Sequence, residues 1–200
     1  MDPSPHSAPL PAARPREPRV FFALVPDGEC RARIAQVAER CAQRAGGRAT
    51  APGSLHLTLA FLGGVPTDRL PALTAIGDGA PRLAFELVLD TVGEFRRARI
   101  AWIAPSSIPA ALLALREALA AALLKAPFAI DERPFRPHVT LARKCDASLA
   151  KAAVLPLRWP VARLSLMAST LDPAGALYRE LSGWALEPSP TPDARWRAPD

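Results

Sequence analysis

His56-Leu57-Thr58-Leu59-Ala60 returns later in the chain as His138-Val139-Thr140-Leu141-Ala142. The sequence holds three histidines, and two of them open this shared pattern, while His6 lies in a proline-rich tail. Polar and apolar residues alternate with period two, which predicts one half-buried β-strand in each copy. His56 and Thr58 then point to one side of the first strand, with Leu57 and Leu59 on the other. His138 and Thr140 do the same in the second, against Val139 and Leu141. The chain thus offers an imidazole beside a hydroxyl, twice.

Outward from the two motifs, strands and helices alternate in a similar order. Arg19-Val20-Phe21-Phe22-Ala23-Leu24-Val25 is an apolar, central strand stopped by Pro26. Asp27 is placed to cap a helix over 28–45, with Ile34, Val37, Ala38 and Cys41 on one face and Gly46-Gly47 at its end. The first motif strand covers 55–62. Thr67 is expected to cap a short helix carrying Leu70, Leu73 and Ile76, although Pro71 inside it would remove a hydrogen bond. Residues 83–91 and 100–104 are expected strands, joined by a loop that presents Arg96, Arg97 and Arg99. Ser107 and Pro109 open the longest helix, to about Lys125. The second motif strand covers 138–143, a short helix is expected near 147–153, and strands at 161–170 and 176–186 flank a turn at Asp172-Pro173-Ala174-Gly175. The repeated order predicts an α+β fold with two facing lobes derived from a duplication.

Residues 1–18 and 187–200 are rich in Pro, Ala, Ser and Arg and are expected to be disordered tails around one domain at 19–186. Half of the 200 residues are hydrophobic, enough for one full core. No apolar run approaches the roughly 18 residues of a membrane span, and the N-terminus lacks the pattern of a secretory signal. Cys30, Cys41 and Cys145 form no CxxC pair and suit reduced thiols of a cytoplasmic protein. The net charge of +6 belongs to the folded middle, because the tails nearly cancel each other, and it suits an anionic partner such as RNA. A generally arginine-rich composition would give the same charge.

Two imidazoles are what a metal-free acid–base reaction needs, one to take a proton and one to give it near neutral pH. A threonine hydroxyl two positions along each strand is placed to donate to a phosphoryl oxygen as charge builds on it. A lone His-x-Thr is a weak signal. Two copies that share the following Leu and Ala, and use both histidines outside the tail, are not. Zinc would need a third ligand that neither motif offers nearby, and nothing pairs Cys145 with His138 as nucleophile and base.

These residues resemble the 2H phosphoesterases, and within them the RNA 2′,3′-cyclic phosphodiesterases, also called 2′-5′ RNA ligases. The resemblance covers about residues 19–186. It is carried by Arg19-Val20-Phe21-Phe22-Ala23-Leu24, by Leu55 to Gly63, by Phe135-Arg136-Pro137-His138-Val139-Thr140-Leu141-Ala142-Arg143 and by Ser169-Thr170-Leu171. It implies a bilobal α+β fold with pseudo-two-fold symmetry, an antiparallel sheet and helices in each lobe, and the active cleft between them. It also implies hydrolysis of an RNA-terminal 2′,3′-cyclic phosphate to a 2′-phosphomonoester, without metal or cofactor, and ATP-independent 2′-5′ ligation as the reverse side activity. His56 would protonate the departing 3′ oxygen, His138 would activate water, and Thr58 and Thr140 would hold the non-bridging oxygens. Arg143 matches a family arginine at the phosphate. Phe22 is a candidate for stacking on the terminal base, against a plain core role on its apolar strand. Arg96, Arg97, Arg99 and Arg136 are candidates for tracking the RNA backbone. A monomer is expected. Two other readings stay open: a module that binds RNA ends without turning them over, and a phosphodiesterase for small nucleotide cyclic phosphates.

Overall fold

The computed structural model describes residues 17–131, 133–148, 154–172 and 175–188. Ten strands and three α-helices follow the chain in the order β1 (Arg19–Leu24), α1 (Gly28–Ala45), β2 (Arg48–Ala49), β3 (Leu57–Gly64), α2 (Leu70–Asp78), β4 (Phe85–Leu89), β5 (Thr91–Phe95), β6 (Ile100–Ala104), α3 (Ala110–Lys125), β7 (Val139–Arg143), β8 (Leu157–Val161), β9 (Arg163–Asp172) and β10 (Gly175–Ala185). Eight of the strands form one antiparallel sheet in the order β10-β9-β1-β3-β7-β6-β5, with β2 beside β7. Strands β4 and β8 make a separate two-stranded sheet. The large sheet divides into two halves of four strands each. They meet where β3 faces β7, at the pair Leu57–Val139. This is the expected bilobal α+β architecture, with the two motif strands at the seam.

Alternation along β1 sorts the two faces of the sheet. Val20, Phe22 and Leu24 join the main core with Ile34 of α1, Leu57 and Leu59 of β3, Leu115 of α3, and Val139 and Leu141 of β7. Phe21 and Ala23 point the other way, to a small cluster with Met167, Val25 and Tyr178. Helix α1 lies against β7 and β8, α2 against β9 and β10, and α3 against β3, so the helices cover the core face and leave the motif face open. Asp27 caps α1 by accepting from the Cys30 N–H at 2.9 Å, and Gly46 closes it in the left-handed region at φ 66°.

Several local features depart from the sequence expectation for identifiable reasons. Pro71 sits in the first turn of α2, where its missing N–H has no partner to lose. Thr67 belongs to a 3₁₀ turn (Thr67–Arg69) ahead of α2 and makes no capping bond. The loop expected between residues 91 and 100 begins only after Phe95, because Thr91–Phe95 pairs with Ile100–Ala104 in the β5–β6 ladder. Strand β8 departs from the sequence expectation because it contains Pro160, which a two-stranded ribbon tolerates where a central strand would not. Ala147 and Ser148 are not helical, and the remainder of the helix expected near 147–153 lies outside the described residues. So do Pro173 and Ala174 of the expected turn and nearly all of both tails. Among the described residues, no helix is long and apolar enough to cross a membrane.

Candidate active site

The Leu57–Val139 pair fixes how the two motifs meet. In an antiparallel ladder, one step from that pair brings His56 level with Thr140 and Thr58 level with His138. Each imidazole therefore faces the hydroxyl of the other motif on the open face of the sheet. Thr58 pairs with Ala23, which places it on the face of Phe21 and Tyr178 and away from the helices. Both threonines are half-buried.

Each motif also carries a β-bulge at its leucine. Along β3, Thr58 pairs with Ala23 and Ala60 with Phe22, leaving Leu59 as the extra residue. Along β7, Thr140 pairs with Trp102 and Ala142 with Ala101, leaving Leu141 extra. A bulge reverses the alternation beyond it. Arg143, an odd number of positions after His138, thus emerges on the face of His138 and Thr140. Phe61, the corresponding residue of the first motif, emerges on the face of His56 and Thr58, where it pairs with Phe21. Strict alternation would have turned both into the core.

The histidines are anchored alike. Nδ1 of His56 donates to the Ser54 carbonyl at 2.7 Å, and Nδ1 of His138 donates to the Arg136 carbonyl at 2.7 Å. A carbonyl only accepts, so Nδ1 carries the hydrogen in both rings and Nε2 is the atom free to exchange a proton. Their surroundings differ. His56 has the rings of Phe21 at 4.9 Å and Tyr178 at 5.1 Å. Burial holds its pKa below the ordinary 6.5, against the opposing pull of the Ser54 carbonyl, and the charges of Arg143 and His138 lower it further. His138 meets the Phe95 ring edge-on at 5.1 Å. On its side a cleft of about 710 Å³ opens, lined by His138, Thr58, Phe61, Phe95, Arg97 and Arg136 among others.

The structure brings His56, His138, Thr58 and Thr140 together, with Arg143 near enough for its charge to reach His56. Arg143 is exposed and has no ion-pair partner among the described residues. Phe22 is corrected: it is wholly buried, its ring centroid 6.0 Å from that of Trp184, on the helix-covered face, where no base reaches it. Tyr178 and Phe61 are the aromatic residues that sequence reading missed. Tyr178 arrives from a distant strand, and Phe61 from the bulge. Of the loop arginines, Arg99 holds the carbonyls of Lys144 and Cys145 and pairs with Asp146, and Arg96 pairs with Glu94. Only Arg97 of the three lines the cleft, together with Arg136. Burial pushes the Cys30 thiol up to about 12 and raises that of Cys41, which makes both poor nucleophiles. Among the described residues, no group of three or more His, Cys, Asp or Glu side chains is arranged to hold a metal.

Residues 26–173 match the family model described as the 2′-5′ RNA ligase superfamily. The RNA 2′,3′-cyclic phosphodiesterase of Escherichia coli is 33% identical over 171 residues, spanning 84% of this chain and 96% of that protein. The RNA 2′,3′-cyclic phosphodiesterase of Thermus thermophilus is 32% identical over 179 residues, 84% of this chain and 90% of that one. The crystal structure of E. coli LigT complexed with 3′-AMP superposes with a TM-score of 0.74 at 30% identity, covering 85% of this chain and 99% of LigT. With paired His-Thr strands at the seam of a two-lobed sheet and these relatives along most of its length, the chain belongs to the 2H phosphoesterases, in the RNA 2′,3′-cyclic phosphodiesterase family.

Proposed function

We propose that the protein opens RNA-terminal 2′,3′-cyclic phosphates to 2′-phosphomonoesters by metal-free acid–base catalysis. The observation that carries this reading is the matched anchoring of the two imidazoles, each with Nδ1 on the carbonyl two residues upstream and Nε2 left free. His138 Nε2 takes a proton from water as its oxygen attacks phosphorus, and His56 Nε2 gives a proton to O3′ as the P–O3′ bond breaks. Burial disfavours the protonated form of the His56 ring. An anionic cyclic phosphate between the histidines favours the protonated form and loads the acid as substrate binds. Thr58 and Thr140 donate to the two non-bridging oxygens, and Arg143 adds a fixed positive charge on the His56 side. The assignment of acid and base follows the family resemblance, and the named activity of the relatives supports the substrate class. The functional unit in this reading is the single domain at 19–186.

The test uses the full chain in EDTA with a short RNA ending in a 2′,3′-cyclic phosphate. His56→Asn and His138→Asn are each expected to lower the rate by about 10²–10⁴ with the fold intact. Retained activity in either variant, or loss of wild-type activity in EDTA with recovery on adding zinc, would overturn the proposal. The same RNA bound tightly but unchanged would favour a binding module.

A further inference from the structure

The two arms of the clamp differ beside their threonines. Across the ladder from Thr58 stands Ala23, and Ser165 follows one strand further on. Across from Thr140 stands Trp102, followed by Gly93. The His138 arm thus carries an indole where the His56 arm carries a methyl group, with bare backbone next to it. A Cβ at Gly93 would overlap the six-membered ring of Trp102, so the indole lies over that glycine. Its Nε1 is buried without an acceptor among the described residues, which leaves packing to hold the ring.

From there a line of ring contacts leads to the histidine. The ring centroids of Trp102 and Phe95 are 5.7 Å apart at 41°, and those of Phe95 and His138 are 5.1 Å apart at 85°. The bond from Nδ1 of His138 to the Arg136 carbonyl fixes one corner of the imidazole and leaves the plane free to swing about it. His56 has the rings of Phe21 and Tyr178 against it. His138 faces the open cleft, with Phe95 on its flank. The direction of its Nε2 then depends on where Phe95 stands, and Trp102 backs Phe95.

We propose that Trp102, acting through Phe95, is a positioning residue that aims Nε2 of His138 at the attacking water. The inference rests on the general-base role proposed above for His138 and names the residues that hold the base in line. Phe95 lines the cleft, whereas Trp102 stands outside its lining, so a change at Trp102 reaches the reaction through the side chains it touches. The reacting atoms must lie about 3–3.5 Å apart and aligned, and a misplacement of about 1 Å costs on the order of 10²-fold in rate.

The experiment follows exchange of the imidazole Nδ1–H protons with water by NMR in the full chain, and single-turnover hydrolysis of an RNA ending in a 2′,3′-cyclic phosphate. In Trp102→Leu, exchange at His138 is expected to quicken about tenfold while exchange at His56 stays within about twofold. The rate at saturating RNA is expected to fall about tenfold, with the half-saturating concentration within about twofold. Trp102→Phe, which keeps a ring behind Phe95, is expected to restore most of both. Added to His138→Asn, Trp102→Leu is expected to cost no further rate, because the group it aims is already gone. Phe95→Leu is expected to quicken the same exchange and keeps the test open if Trp102→Leu does not fold. Unchanged exchange at His138, equal quickening at both histidines, or a rate loss that adds to that of His138→Asn would overturn the proposal. A wild type that leaves the cyclic phosphate intact would overturn the proposed function instead, and the exchange at His138 would still decide the positioning.

Discussion

Leu57 faces Val139 across the junction of β3 and β7, and this apolar pair joins the two halves of the large sheet. Both side chains are fully buried among the helix-covered core, which locks the register of the seam. A slip of β3 by one residue would send His56 and Thr58 toward the core and turn Leu57 and Leu59 to the open face. The register that buries Leu57 and Val139 is the same one that sets each histidine across from the other motif's threonine. Core packing thus positions the chemistry.

The charge of Arg143 is one of the influences that lower the His56 pKa. Arg143→Gln is therefore expected to raise it, as read by an NMR titration of the imidazole. An unchanged or lower value would mean that Arg143 does not act on His56.

His56 also links stability to pH. Its folded pKa lies below the ordinary 6.5, so as pH falls through 6.5 the unfolded chain takes up the proton first and stability is lost. His56→Gln removes this contribution. Urea unfolding at about pH 7.5 and 5.5 is expected to show a smaller acid-side loss in the variant than in wild type. An equal or larger loss in the variant would contradict the burial of the ring.

Phe22 and Tyr178 are expected to separate stability from binding. Phe22→Ala empties a fully buried site and is expected to cost about 3–5 kcal/mol in denaturant unfolding, with kcat/KM of the folded protein within about twofold of wild type. Tyr178→Ala, beside His56 at 5.1 Å, is expected to raise KM about tenfold for an RNA donor with little change in stability. Reversal of the two effects would restore Phe22 as the stacking residue.

Two glycines lie under tryptophan rings. A Cβ at Gly77 would stand 2.2 Å from Trp184, and one at Gly93 would stand 2.2 Å from Trp102. Either alanine is expected to cost about 1–3 kcal/mol by overpacking. Trp102 pairs with Thr140, whereas Trp184 lies on the helix-covered side. Gly93→Ala is thus expected to lower kcat as well, and Gly77→Ala to leave kcat of the folded protein unchanged. Equal effects on kcat would contradict the separation of the two faces.

The motif strands, the capped helix at Gly28–Ala45 and the residues of the clamp were legible in the sequence because each rests on local periodicity and spacing. The pairing of β3 with β7 was not, since strand order depends on the whole core. The bulges were hidden for a related reason: an apolar residue after Thr58 or Thr140 satisfies strict alternation, and only the neighbouring strands reveal that Leu59 and Leu141 are extra. That concealment carried Phe61 out of view. It also left Phe22, with the same apolar neighbours as Phe21, indistinguishable from it until the faces of β1 were known.

The most direct measurement is phosphorus NMR of the product formed in EDTA from a short RNA ending in a 2′,3′-cyclic phosphate. Proton donation by His56 to O3′ predicts a 2′-phosphomonoester. A 3′-phosphomonoester would reverse the leaving oxygen and contradict the orientation of the ribose in the clamp, and an unchanged cyclic phosphate would contradict catalysis by the paired histidines.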